Sequence, residues 1–267
     1  MNKKELVPKV VSLRITARCS RKCLHCFAPK NVPEMDLSTL KRVFSVLKIN
    51  GAESILLTGG EPTIRNDFPE VMFHLKKSGF DVFLDTNADF FLSYQDLICC
   101  NVDVIGLPVM NAQRRDADRI FSALEYMATI SKRPIIRVGH DLKAIGNLIR
   151  RYPVSIWKLY QFTPQENAIL SRHLFEVTDD SFNEAVTTIR EEFQNSFSVV
   201  VSRRNDRNHA YFFVESDGQV TIPEDDMNIC RLVPLGNIFD PDIFDKWRQV
   251  VSKTCYLDNI IRTFSKS

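Results

Sequence analysis

The chain has 267 residues, 44% hydrophobic and 25% charged, enough to bury a sizeable core, so neither a disordered chain nor a disulfide-stapled miniprotein describes it. Thirty-five Lys and Arg against 33 Asp and Glu leave a formal charge of +2, which excludes the broad basic field of a dedicated nucleic-acid binder. No run of about 18 apolar residues occurs and none follows Met1 to Glu5, so the expectation is a cytoplasmic protein with no membrane and no nucleic-acid partner.

Strand-like apolar runs alternate with helical patterns from residue 10 to about 195, which predicts parallel strands joined by crossover helices. The first strand is read at 10–16 and the first helix at 37–49, where Leu40, Val43, Phe44 and Leu47 fall on one face. A second strand at 54–58 ends in Gly59-Gly60-Glu61-Pro62, where glycine frees the backbone and proline stops the ladder. Further strands are read at 81–85, 102–107, 134–138 and 154–162, with helices near 69–77, 94–98, 116–130 and 142–151. A sixth helix starts at Asp179 or Asp180, either of which suits an N-cap, and carries Phe182, Val186, Ile189 and Phe193 on one side.

Six strand–helix units fall short of the eight of a closed barrel, so the predicted fold is α/β, a partial (β/α)6 barrel with chemistry at the carboxyl ends of its strands. After about residue 196 the pattern changes to short strands near 199–202, 211–215 and 219–222, with Asp217-Gly218 as a hairpin turn. A helix after Pro241 carries Ile243, Phe244, Trp247 and Val251. The predicted organisation is a barrel core over 1–195 and, over 196–267, a small C-terminal β extension with a terminal helix.

Cysteine usage is uneven: three of seven stand within the eight residues from Cys19 to Cys26, in the spacing C-x3-C-x2-C on a loop leaving a strand. Three thiolates suit three irons of a four-iron cluster, leaving the fourth iron open to a cofactor or substrate. Zinc is the alternative, with His25 as fourth ligand, although neighbouring residues converge poorly on one tetrahedral centre. Cys99, Cys100, Cys230 and Cys255 are scattered and read as inert thiols packed as small hydrophobes.

Cys19, Cys23 and Cys26 after a first strand, with Gly59-Gly60-Glu61-Pro62 after the second, resemble the radical S-adenosylmethionine (SAM) superfamily over about residues 10–165. That resemblance implies a [4Fe-4S] cluster on the three cysteines and SAM on its open iron. Reductive cleavage of SAM would give a 5′-deoxyadenosyl radical that abstracts hydrogen from substrate. It further implies cofactor contacts at His25, Gly59, Gly60, Glu61, Pro62, Thr86 and Asn87, with Arg137 and His140 at the end of strand five in reach of SAM. Trp157-Lys158-Leu159-Tyr160-Gln161 looks like a segment found near substrate in viperin-like and several natural-product relatives, which makes Lys158 and Gln161 candidate substrate residues. The C-terminal region resembles a SPASM or twitch extension that lacks its run of cysteines, since only Cys230 and Cys255 remain, so a single cluster is expected.

The functional expectation is a radical SAM enzyme acting on a small molecule of the nucleotide, nucleoside or sugar-derivative class, with an electron donor such as flavodoxin or ferredoxin. Its rivals are a peptide-modifying radical SAM maturase and a zinc-bearing binding module without catalysis.

Overall fold

The structure, a computed structural model, describes residues 6–109, 116–130, 132, 134–137, 142–226 and 229–257, with backbone alone at 116, 117 and 137. The strands are β1 (Val10–Thr16), β2 (Ser54–Gly59), β3 (Asp81–Asp85), β4 (Val104–Pro108), β5 (Ile135–Arg137), β6 (Ile156–Tyr160), β7 (Ser198–Ser202), β8 (Phe213–Val214), β9 (Gln219–Asp225) and β10 (Cys230–Asn237). Between them run α1 (Leu37–Ile49), α2 (Phe68–Lys77), α3 (Gln95–Asn101), α4 (Asp116–Thr129), α5 (Leu142–Ile149), α6 (Arg172–Phe175) and α7 (Asp179–Phe193), and α8 (Ile243–Val250) and α9 (Lys253–Cys255) follow.

All ten strands form one sheet in the order β10-β9-β8-β1-β2-β3-β4-β5-β6-β7. Neighbours from β1 to β6 are parallel, and β7 and β10 stand at opposite edges without pairing, so the sheet is the unclosed partial barrel that the alternating pattern predicts. Two strands read as extension belong to this parallel array. The 199–202 strand pairs with β6 over five positions, and β8 pairs parallel with β1 through Ser12 and Leu13. Local periodicity cannot show which edge a short strand joins, because that choice is made by residues distant in sequence.

Local signals explain the helices. Asp36 caps α1 by accepting from the backbone N–H of Thr39 at 2.7 Å, and the buried face is Leu40, Val43, Phe44 and Leu47, as the periodicity requires. At α7 the cap is Thr178 rather than an aspartate, accepting from Ser181 N–H at 3.2 Å. Asp179 and Asp180 occupy the first turn instead, where negative charge favours the helix dipole. Trp157 and Leu159 of β6 are buried, Trp157 edge-on to Phe193 of α7 and to Phe197. Alternation along the strand therefore turns Lys158 and Tyr160 to the barrel interior.

The residues after β7 add β8, β9 and β10 to the β1 edge of this sheet. Trp247 of α8 packs edge-on against Phe212 and Tyr256 and donates its indole N–H to Tyr211 O at 3.0 Å, and the Tyr256 hydroxyl accepts from Val10 N–H at the root of β1 at 3.1 Å. At the other side, Cys230 N–H donates to Pro164 O at 3.1 Å and Gln165 bridges Cys230 in parallel. The β9–β10 hairpin thus reaches from the β1 edge to the segment that follows β6.

Candidate active site at the carboxyl ends of the strands

The loop between β1 and α1 carries Cys19, Cys23 and Cys26, none of them in a disulfide, Cys19 exposed and the other two half-buried. A turn joins the latter pair, Cys26 N–H donating to Cys23 O at 3.2 Å. Burial raises the Cys19 thiol above its ordinary value, with Cys26 and Glu61 among the charges it senses. Among the described residues no three His, Cys, Asp or Glu side chains already converge as a metal cage. The donor set nevertheless fits an iron–sulfur cluster: three accessible thiols on one short loop and no competing bond among them.

Both glycines of the second motif are required by close approach to this loop. Gly60 N–H donates to Thr16 O and Glu61 N–H to Arg18 O, each at 2.8 Å. A Cβ on Gly59, where φ is +139°, would stand 2.3 Å from Thr16 O, and one on Gly60 would stand 2.0 Å from Arg18 O. These glycines therefore lace the end of β2 onto the root of the cysteine loop, and Pro62 opens the buried turn that follows.

Glu61 is fully buried. Its carboxylate accepts from Thr63 N–H at 3.2 Å, Thr63 Oγ1 at 2.5 Å, Thr86 Oγ1 at 2.7 Å and Asn87 N–H at 2.6 Å. Burial raises its pKa in spite of these donors. Glu61 and Thr86, both expected as cofactor contacts, bond to each other and so tie the β2 turn to the β3 loop, the structural-loop role that the Thr-Asn segment also allows. Asn87 stays near the cysteines, its Nδ2 3.2 Å from Ser20 Oγ and 3.8 Å from Cys19 Sγ. Two residues on, Asp89 is gripped by Arg21 at 2.6 Å, and Arg21 also donates to Asn87 O at 2.8 Å. Burial alone would raise the Asp89 carboxyl, but Arg21 and Ser20 outweigh it and hold the group below its usual value.

The far wall comes from beyond β6. His25 meets Phe175 of α6 edge-on at 5.9 Å, and Phe175 meets Phe162 at 5.5 Å. Lys158 and Gln161, paired as substrate candidates, are not brought together. Lys158 is 2% exposed with Nζ 4.9 Å from the Tyr160 ring centre. Gln161 lines an open cleft of about 380 Å³ with Glu176, Asp179 and Arg204, and its amide is used up, donating to Asp179 Oδ1 at 2.6 Å and accepting from Arg204 N–H at 3.0 Å. Continuing the β6 alternation, Gln161 falls on the side of Trp157 and Leu159, opposite Lys158 and Tyr160. Arg137 ends β5, its Cα paired with Pro108 and Lys158; its side chain, like His140, lies outside the described residues.

Sequence reasoning missed the ionic frame. Arg65 is 4% exposed, donates to Ile15 O at 2.7 Å and Met35 O at 3.1 Å, and grips Asp67 at 2.7 Å, fastening both ends of the cysteine loop. Arg14 of β1 is clasped by Glu215 at 2.9 and 3.0 Å, both side chains buried, with Phe27 and Phe213 against the guanidinium. The alternation of Ser12, Arg14 and Thr16 with apolar neighbours is a signal for a polar inner face of β1. Arg65 offers no such signal, because its partners lie 30 and 50 residues away.

A model of the radical SAM superfamily matches residues 13–153. The chain belongs to the radical SAM superfamily. Members are enzymes that use SAM and a [4Fe-4S] cluster, and this radical SAM chain is of that enzyme class. It is 25% identical over 258 residues, 86% of its own length and 83% of the relative's, to a probable GTP 3′,8-cyclase of Methanothermobacter marburgensis. A shorter match, 39% over 83 residues, joins it to Fe-coproporphyrin III synthase of Methanosarcina barkeri, of which it spans 21%. In fold it resembles Streptococcus suis SuiB bound to S-adenosylmethionine, with TM-score 0.67 at 16% identity over 98% of this chain and 69% of SuiB. It likewise resembles anSMEcpe with bound AdoMet and a peptide, with TM-score 0.67 at 17% identity over 93% of this chain and 84% of that one. Membership in an enzyme superfamily sets aside the non-catalytic zinc module. Among the described residues no helix is long and apolar enough to cross a membrane.

Proposed function

We propose that this radical SAM enzyme holds one [4Fe-4S] cluster on Cys19, Cys23 and Cys26 and acts on a small molecule of the nucleotide, nucleoside or sugar-derivative class. The carrying observation is the lacing of the Gly59-Gly60 turn and the Thr86-Asn87 loop onto the root of the cysteine loop. When bound, the cluster and SAM supply one-electron cleavage of a sulfonium bond and a radical able to take hydrogen from carbon. The chain's residues then bind, orient and exclude water. Gly59 and Gly60 hold the turn close, Asn87 and His25 flank the thiols, and Phe175 and Phe162 wall the mouth. The nucleotide direction rests on the GTP 3′,8-cyclase relative, which aligns with most of the chain; peptide-modifying neighbours share the fold at under 25% identity.

In this reading residues 1–195 carry the cofactor end, residues 196–267 add the β7 edge strand and a cluster-free cover, and an electron donor of the flavodoxin or ferredoxin kind acts in the cytoplasm. Cys230 on β10 is a buried thiol that desolvation pushes up to about 12. The test is anaerobic reconstitution with iron and sulfide, reduction by dithionite with SAM, and assay of 5′-deoxyadenosine with a panel of nucleotides, nucleosides and sugars. About four irons per chain are expected, lost in Cys23→Ala without change in far-ultraviolet dichroism. A full cluster retained by Cys23→Ala refutes the ligand set, and a loaded enzyme that forms no 5′-deoxyadenosine with any of the panel refutes the reaction.

A further inference from the structure

The inward-facing arginines of this fold are treated unequally. Arg14 is neutralised by buried Glu215, and Arg204 by Asp225 and Glu176. Arg207, on the turn after β7, has only neutral acceptors. Its Nη2 donates to Gln161 O at 2.5 Å and to Thr163 Oγ1, which pins the guanidinium across the end of β6. Its Nε is sealed from solvent and has no hydrogen-bond partner in the structure, and no carboxylate pairs with Arg207 among the described residues.

That orphaned donor stands over the lumen face of β6. The Arg207 guanidinium carbon is 5.6 Å from the Tyr160 ring centre, and Lys158 Nζ is 4.9 Å from the same ring. Two cations from different elements thus flank one aromatic ring on the inward face of β6. A guanidinium N–H that is sealed from solvent and left without an acceptor costs free energy that an anion bound beside it offsets. A guanidinium fixed by two of its own bonds presents a preorganised edge to a planar or tetrahedral oxyanion.

We infer that Arg207, with Lys158 and Tyr160, forms a subsite for an anionic substituent of the substrate, a phosphoryl or carboxylate group. The inference deepens the proposed function and rests on it for the identity of the barrel mouth as the substrate site. Placed there, the anion fixes one end of the substrate at β6 and leaves the carbon to be attacked facing the cysteine loop.

The test is calorimetric titration of the reconstituted full chain with inorganic pyrophosphate and, separately, succinate, alongside the 5′-deoxyadenosine assay on the same preparation. Saturable, salt-sensitive binding of one probe is expected, pyrophosphate reporting a phosphoryl site and succinate a carboxylate site. Arg207→Gln weakens it about tenfold or more, as loss of a charged hydrogen bond requires. Arg203→Gln, on an exposed neighbour that bonds only Asn183 and Asp206 in the described structure, leaves it unchanged. Lys158→Gln is the second variant should Arg207→Gln not fold, with the same weakening expected. Binding of neither probe, or equal binding by wild type and a folded Arg207→Gln or Lys158→Gln, overturns the inference. If 5′-deoxyadenosine still forms in that case, the radical reading stands alone; anion binding that depends on Arg207 without cysteine-dependent 5′-deoxyadenosine would remove the radical reading and keep the anion site.

Discussion

At the scale of single residues, the candidate site is governed by groups that do not touch the chemistry. Gly60 shows this most sharply, since an added Cβ would lie 2.0 Å from Arg18 O and 2.5 Å from Arg18 C. Both are backbone atoms immediately before Cys19, so the loop rather than a side chain must yield. Gly60→Ala is expected to lose about 1–3 kcal/mol, the scale of overpacking, and to lower iron loading; urea unfolding and iron analysis read the two effects, and unchanged loading would show that the lacing is dispensable. Asp67 gives a pH prediction. Its hydrogen bond to Arg65 holds its carboxyl below the ordinary value, against partial desolvation. A depressed carboxyl contributes stability that is present above its unfolded value near 4 and is lost as pH falls through the lower folded value. The thermal midpoint is therefore expected to drop below about pH 4, more gently in Asp67→Asn than in wild type; parallel acid limbs in the two proteins would contradict the assignment.

At the scale of elements, the decisive contact is between β1 and the extension. Arg14 and Glu215 are 201 residues apart in sequence and both buried, with Thr221 donating to the same carboxylate at 2.8 Å. Removing one partner strands a buried charge. Arg14→Leu is expected to cost about 3–5 kcal/mol, whereas Arg14→Leu with Glu215→Gln recovers much of the loss. Chemical denaturation of both variants checks this, and a double variant as unstable as the single one would mean that packing by Phe27 and Phe213, not charge, holds the joint. The face of α1 and the strand–helix alternation of the first six units were legible in sequence, because each follows from periodicity within one segment. The N-cap of α7 was not, since Thr178, Asp179 and Asp180 are all competent and the choice depends on where Gln161 draws Asp179. The partners of Gln161 were not legible either, as they arrive from α7 and the turn after β7.

At the scale of the whole molecule, the last described residues pack back onto the start of the sheet. Helix α8 anchors Trp247 among Phe212, Phe244 and Tyr256, and Tyr256 reaches back to Val10. Trp247→Ala is expected to cost about 3–5 kcal/mol, since its fully buried ring leaves a large cavity. Differential scanning calorimetry should show a single lowered transition; two resolved transitions would mean that barrel and extension unfold independently.

Sequence alone determined the class of this protein. Three cysteines and a glycine turn at the ends of successive strands are local patterns, and local patterns carry both the cluster chemistry and the strand–helix repeat. Tertiary structure alone decided that Glu61 and Thr86 bond each other across the ends of β2 and β3, that Gln161 meets Asp179 and Arg204, and that Arg14 is neutralised where Arg207 bonds neutral acceptors. Those outcomes depend on which distant carboxylate, carbonyl or ring is brought within about 3 to 6 Å of a charged group, and one-dimensional spacing does not encode that meeting.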